Sequence, residues 1–60
     1  MDKELQDLIN SAYDTEHGKG WIPSGSHQAL VDRLVALGLV DVSTPTWPRL
    51  TRQGMAFRTL

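Results

Sequence analysis

The chain has no cysteine among its 60 residues, and that absence limits its folds more than any other feature. A domain this short cannot be closed by a disulfide or a thiolate zinc site. Its core must come from apolar packing alone, or be completed by a partner. With 40% hydrophobic and 22% charged residues, the composition is that of a globular chain rather than a disordered one. The length fits a single domain over residues 1–60 and leaves no room for a dinucleotide-binding unit, a barrel or a two-lobed enzyme. No run approaches the ~20 apolar residues of a membrane-spanning helix. The acidic start Asp2-Lys3-Glu4 has none of the apolar core of a signal peptide. The expectation is a soluble cytoplasmic protein without membrane contact.

The formal net charge is −1, which argues against a simple polycation for nucleic acid. The sum hides a split. Residues 1–16 carry five acids and one base, whereas residues 17–60 carry five bases and two acids.

Hydrophobic periodicity predicts a first helix over about Asp2–Asp14, with Leu5, Leu8, Ile9, Ala12 and Tyr13 on one stripe and Asp2 as its N-cap. Gly18 and Gly20 are expected to end it. Residues 15–25 read as a connector in which Trp21 and Ile22 form a very short strand or a plug on the core. Trp21 is expected to pack on the core. Ser24 or Ser26 is the expected cap of a second helix, Ser26–Leu37, whose apolar arc holds Leu30, Val31, Leu34, Val35 and Leu37. Gly38 is the expected glycine after that helix, with Leu39 folding back on the last turn. Val40-Asp41-Val42 alternates as a strand does, Ser43–Pro48 reads as a turn, and Arg49-Leu50-Thr51 is the returning strand. Thr51 is a natural N-cap for a last helix from Arg52 to about Thr59, with Ala56, Phe57 and Leu60 on one face. The predicted architecture is α+β: three helices and a short β-hairpin.

Catalytic patterns are missing. His17 and His27 stand ten residues apart with no His-Glu-x-x-His pairing, so no metal centre is expected. Ser24-Gly25-Ser26-His27 lacks the Gly-x-Ser-x-Gly elbow, and His17-Gly18-Lys19-Gly20 lacks the spacing of a phosphate loop. A domain of this size also offers no deep pocket. Neither an enzyme nor a cofactor is expected.

Two segments carry a family resemblance. The run from Leu30 to Val40, Leu-Val-Asp-Arg-Leu-Val-Ala-Leu-Gly-Leu-Val, resembles the end of a winged-helix recognition helix passing into the wing. Leu50-Thr51-Arg52-Gln53-Gly54 resembles the Leu-Thr-x-x-Gly that follows the wing in many bacterial and phage winged-helix proteins. The resemblance covers roughly residues 26–57. The family places a further helix before the recognition helix, whereas here the connector holds three glycines and a proline. The chain thus resembles a reduced winged helix-turn-helix domain.

The resemblance implies a small DNA-associated regulatory protein of bacterial or phage type. Helix 26–37 would be the reader and residues 43–49 the wing. On the helical wheel Gln28, Ala29, Asp32, Arg33 and Ala36 face away from the apolar arc. Gln and Arg suit adenine and guanine edges. The wing turn offers Thr44, Thr46, Trp47 and Arg49, while Lys19, Arg52 and Arg58 are placed to contact phosphates of double-stranded DNA. Gln28, Arg33, Thr46, Arg49, Arg52 and Lys19 are therefore the candidate nucleic-acid-binding residues. One such helix buries little surface, which suggests a homodimer. The alternative is a protein–protein interaction module on the same scaffold. Its interface would be the acidic first helix (Asp2, Glu4, Asp7, Asp14, Glu16) or the Trp47 turn. Trp47 either covers the hairpin or protrudes as an anchor.

Overall fold

Leu5, Leu8 and Ile9 recur at helical spacing and bury one face of the first helix, α1 (Lys3–Ser11). The computed structural model describes residues 2–42 and 47–59. After α1 come strands β1 (Tyr13–Thr15) and β2 (Gly18–Trp21), helix α2 (Gln28–Ala36), strands β3 (Val40–Asp41) and β4 (Arg49–Leu50), and helix α3 (Arg52–Ala56). The fold is α+β. All strand pairs are antiparallel, in one sheet of order β1-β2-β4-β3. The helices pack against a single face of that sheet. Leu5, Leu8, Ile9 and Ala12 meet Val31 and Leu34 of α2, Leu39, and the inward residues Ile22, Val40 and Leu50 in one buried cluster, with Leu30 and Met55 against it.

The amino-terminal half departs from expectation. Helix α1 ends at Ser11 rather than Asp14, and Tyr13 is exposed instead of completing the stripe. The expected connector is mostly a β-hairpin. Tyr13 pairs with Trp21 and Thr15 with Gly18, with a register irregularity between them. Local polar chemistry closes its turn: the Thr15 hydroxyl accepts from the His17 N–H at 3.1 Å and lies 3.3 Å from the Gly18 carbonyl. Asp14 accepts from the Gly20 N–H at 3.1 Å. At Gly20 the backbone is left-handed (φ +81), and a Cβ would sit 2.9 Å from the Met55 sulfur, so glycine meets both demands. Trp21 closes the strand, so the expected Trp21–Ile22 unit is split. Ile22 lies just beyond, buried, with its N–H donating to the Pro48 carbonyl at 3.0 Å.

Helix α2 begins at Gln28, two residues later than expected, with His27 at the N-cap position and no side-chain cap bond among the described residues. The expected serine cap fails because the Ser26 hydroxyl donates to the Pro23 carbonyl at 2.6 Å, closing the preceding turn. The apolar arc is also narrower than the wheel indicates. Val31 and Leu34 are buried, but Val35 and Leu37 are exposed, since the sheet reaches only one side of the helix. The C-terminus agrees with expectation. Gly38 is left-handed at φ +76, its N–H donates to Val35, and the Leu39 N–H reaches back to Leu34 at 2.9 Å. These are the paired bonds of a glycine-terminated helix.

Thr51 is the expected N-cap of α3 and has a second role. Its hydroxyl accepts from the Gly54 N–H at 3.1 Å and donates to the Gly38 carbonyl at 2.7 Å. Its own N–H donates to the Leu39 carbonyl at 2.9 Å. The start of α3 is thereby fixed to the end of α2. The predicted apolar face of α3 is overturned: Gly54 is buried and Met55 half-buried, whereas Ala56 and Phe57 are exposed. The close approach at Gly54 rotates the helix, because a Cβ there would stand 2.1 Å from the Leu39 carbonyl oxygen. Leu60, placed on the same face by the sequence, lies outside the described residues. Polar bonds from α1 hold the last turn in place: Gln6 donates to the Phe57 carbonyl at 2.7 Å, and Asn10 exchanges bonds with Thr59 at 2.9 and 3.0 Å.

Two substitutions test this frame. Leu34 is fully buried, so Leu34→Ala is expected to cost about 2–5 kcal/mol, comparable with the whole stability of a domain this small. A variant with the parent's melting temperature would remove Leu34 from the core. Gly54→Ala gains about 1 kcal/mol of helix propensity. It also forces a methyl against a backbone carbonyl, and overpacking of that kind costs about 1–3 kcal/mol or more. Net destabilisation is expected, read as a fall in melting temperature. A rise would show that the α2–α3 junction is looser than described.

Candidate nucleic-acid interface

Opposed residues in a sheet project from the same face. The register places Tyr13 beside Trp21, Trp21 beside Arg49, and Arg49 beside Asp41. A single row therefore crosses all four strands on the face that the helices leave open. It is an unusual row for a solvated surface, since two of its four members are aromatic. The Arg49 guanidinium lies 5.4 Å from the centre of the Trp21 ring, within range of a cation–π contact. Trp21 is half-buried on this outer face and is not part of the core cluster, contrary to expectation. Its indole nitrogen is buried with no hydrogen-bond partner among the described residues.

Trp47, at the start of the return to β4, neither covers the hairpin nor stands fully free of the fold. Its indole N–H donates to the Ile22 carbonyl, which fixes the ring over the β2–α2 connection. The side chain still leaves the residue 46% exposed. Concave surfaces border it on two sides. A cleft of about 470 Å³ is lined by Trp21, Trp47, Arg49 and Arg52, together with Asp41 and the Leu50–Thr51 segment. A smaller one, about 230 Å³, runs from Ile22 through Ser26 to Gln28 and Val31, with Trp47 and Pro48 opposite.

The sequence-derived site residues divide accordingly. Arg49 and Arg52 meet in the larger cleft, and Gln28 lines the smaller one. Gln28 also donates to Asp32 at 2.9 Å, so those two outward side chains of α2 satisfy each other. Arg33 lies apart, 3.7 Å from Asp2 in a solvent-exposed pair. Such pairs are weak, and Arg33 remains available to another anion. Lys19 is exposed on β2 and lines neither cleft. Thr46, like Thr44 and the rest of residues 43–46 of the expected wing, lies outside the described residues. Arg58, expected at a phosphate, is instead a structural clamp. Only 16% of its side chain is exposed, and it donates to the Ala12 carbonyl at 3.1 Å and to Asp14 at 3.2 Å.

Trp21 and Tyr13 escaped the sequence reading as surface residues. The available signal was the alternation of Lys19 and Trp21 with the inward Gly20 and Ile22, which has a period of two. Among the described residues there is no cluster of three or more His, Asp or Glu able to hold a metal ion. No helix among them is long and apolar enough to cross a membrane. Comparison with protein-family models, curated proteins and solved structures finds no match to this chain.

Asp14 supports the hairpin that carries Trp21. The Gly20 N–H is the main group holding its carboxyl below the ordinary carboxylate value; desolvation, next in size, opposes it, and the Arg58 bond and charge and the nearby charge of Lys19 reinforce it. Because the folded-state value is depressed, ionised Asp14 stabilises the fold above about pH 4. That contribution is lost as pH falls through the depressed value. Melting curves recorded from pH 7 downward should show a shallower acid-side loss for Asp14→Asn than for the parent. Identical slopes would mean that the carboxylate does not anchor the hairpin.

Proposed function

We propose that this chain is a small DNA-associated protein built as a reduced winged helix. In this reading the open face of the sheet around β4, with the Gln28 end of α2 beside it, forms the DNA-facing side. Three features of the topology support the winged-helix reading. Helix α2 leads directly into the β3–β4 hairpin, β2 adds to that hairpin through β4, and the Leu50–Gly54 segment turns the chain into α3. The observation that carries the functional reading is the convergence of Arg49 and Arg52 beside Trp21 and Trp47 in one cleft, with Gln28 in the adjoining groove. The acids Asp2, Glu4 and Asp7 belong to the helical layer at α1. Their charge favours approach of a polyanion from the sheet side.

Arg49 and Arg52, with Lys19 on β2, make a small set of phosphate contacts. Affinity for generic duplex is then modest and salt-sensitive, and tight specific binding requires a second copy. Trp47 supports a second reading, a protein-docking module, because a fixed and half-exposed tryptophan between two clefts is also what an interface anchor looks like.

Titration of a short duplex at low salt separates the two. The logarithm of affinity should fall with the logarithm of salt concentration with a slope of about −2 to −3, as expected for about three phosphates. Arg49→Ala and Arg52→Ala should each reduce the slope by about one. Arg33→Ala reports whether DNA follows α2 as well. Absence of any duplex binding at low salt, in a protein that captures a defined polypeptide through Trp47, would reject the DNA reading in favour of docking.

A further inference from the structure

The larger cleft is shaped for something a closed duplex does not offer. Its two aromatic walls differ in availability. One face of Trp21 is covered by the Arg49 guanidinium. Trp47 is half-exposed, and its only polar atom is already bonded to the Ile22 carbonyl. A ring held in this way presents an apolar π-face at little further cost in side-chain freedom, which is the property of a stacking platform. The concavity beside it, about 470 Å³ and open to solvent, has room for one planar group. Arg49 and Arg52 stand in the same cleft, placing positive charge where the phosphates flanking such a group would run. Asp41 stands opposite Arg49 across the β3–β4 pair.

In duplex DNA every base is paired and stacked within the helix, so Trp47 has no free base face to meet. We infer that the Trp21–Trp47 cleft receives an unpaired base of single-stranded DNA, stacked on Trp47 with its flanking phosphates at Arg49 and Arg52. The inference rests on the proposal that this face binds DNA, and it adds that the preferred form is opened or single-stranded. It also accounts for aromatic side chains standing on the only sheet face that the helices leave bare.

The test compares a thymidine oligonucleotide of about ten nucleotides with a duplex of the same length, read by tryptophan fluorescence and by anisotropy of a labelled strand. The single strand should bind at least about tenfold more tightly and quench the tryptophan emission. Trp47→Ala should weaken single-strand binding by roughly 5- to 150-fold, the range for loss of one stacked base, and leave duplex binding nearly unchanged. Trp47→Phe keeps a stacking face without the Ile22 bond and should retain most of the affinity, which separates stacking from a merely structural role. Equal affinity for the two forms in the parent protein, with Trp47→Ala and Trp47→Phe alike, would overturn the inference while leaving the DNA-binding proposal standing. Binding to neither form at low salt would overturn both.

Discussion

The carbonyl of Leu39 is the point on which the rest of the structure turns. It lies just past the left-handed Gly38 that ends α2, it accepts the Thr51 N–H, and it stands where any side chain at position 54 would be. The Thr51 hydroxyl completes the junction by bridging the Gly38 carbonyl and the Gly54 N–H. Few residues thus set the angle between α2 and α3, and with it the position of the β3–β4 pair between them. A chain without disulfides gains rigidity from such satisfied backbone groups, since each orphaned buried carbonyl or N–H would cost about 1–3 kcal/mol. The Leu-Thr-x-x-Gly segment follows from this geometry. Leu50 fills the core, Thr51 caps and bridges, and Gly54 allows contact. Those roles belong to the scaffold, and a motif made of scaffold residues carries information about fold more than about function.

The same junction leaves one face of the sheet without cover. The three helices pack on the side of Ile22, Val40 and Leu50, and the row of Tyr13, Trp21, Arg49 and Asp41 is bordered by Arg52 at the start of α3 rather than covered by a helix. Antiparallel sheets commonly keep one solvated face, and that face is commonly polar. Here it carries aromatic rings and a guanidinium. Placing two tryptophans outside a core made largely of leucine, isoleucine and valine costs a small domain apolar area that it needs. That cost is the physical reason for treating the surface as functional.

The parts of the fold legible in the sequence are those specified by neighbours in the chain. The end of α2 at Gly38, the fold-back of Leu39 and the Thr51 cap follow from local backbone chemistry, and each is where the residues indicate. The β1–β2 hairpin was not legible, for a reason visible at Tyr13. That residue fits the 3.6-residue stripe begun by Leu5 and Leu8, and it fits equally an alternating strand. Pairing with Trp21, which itself pairs with Arg49 far along the chain, decides between them, and such non-local pairing leaves little trace in a three-residue segment. Ser26 and Phe57 mislead similarly. The serine hydroxyl turns back to Pro23, and the phenylalanine is displaced outward by the contact at Gly54. Of the site, Arg49, Arg52 and Gln28 were readable as outward polar groups. Their meeting around Trp47 depends on the sheet order and was not.

The charge split along the chain also changes meaning in three dimensions. The acids of the first sixteen residues do not form a separate acidic body. Asp2 faces Arg33, Asp7 holds Lys3, and Asp14 holds Arg58 together with the Gly20 N–H. Two of the five bases of the later segment are therefore opposed by amino-terminal acids, one of them within a half-enclosed clamp. Lys19, Arg49 and Arg52 are the other bases among the described residues; Lys19 lies near enough to Asp14 to act on its carboxyl, and Asp41 stands in register with Arg49. Three partly screened cations give a polyanion only weak, salt-sensitive attraction. An aromatic face is much less affected by salt and contributes through contact rather than long-range field. If this surface binds nucleic acid with useful affinity, most of that affinity has to come from Trp47 and the cleft beside it, with the arginines orienting the strand.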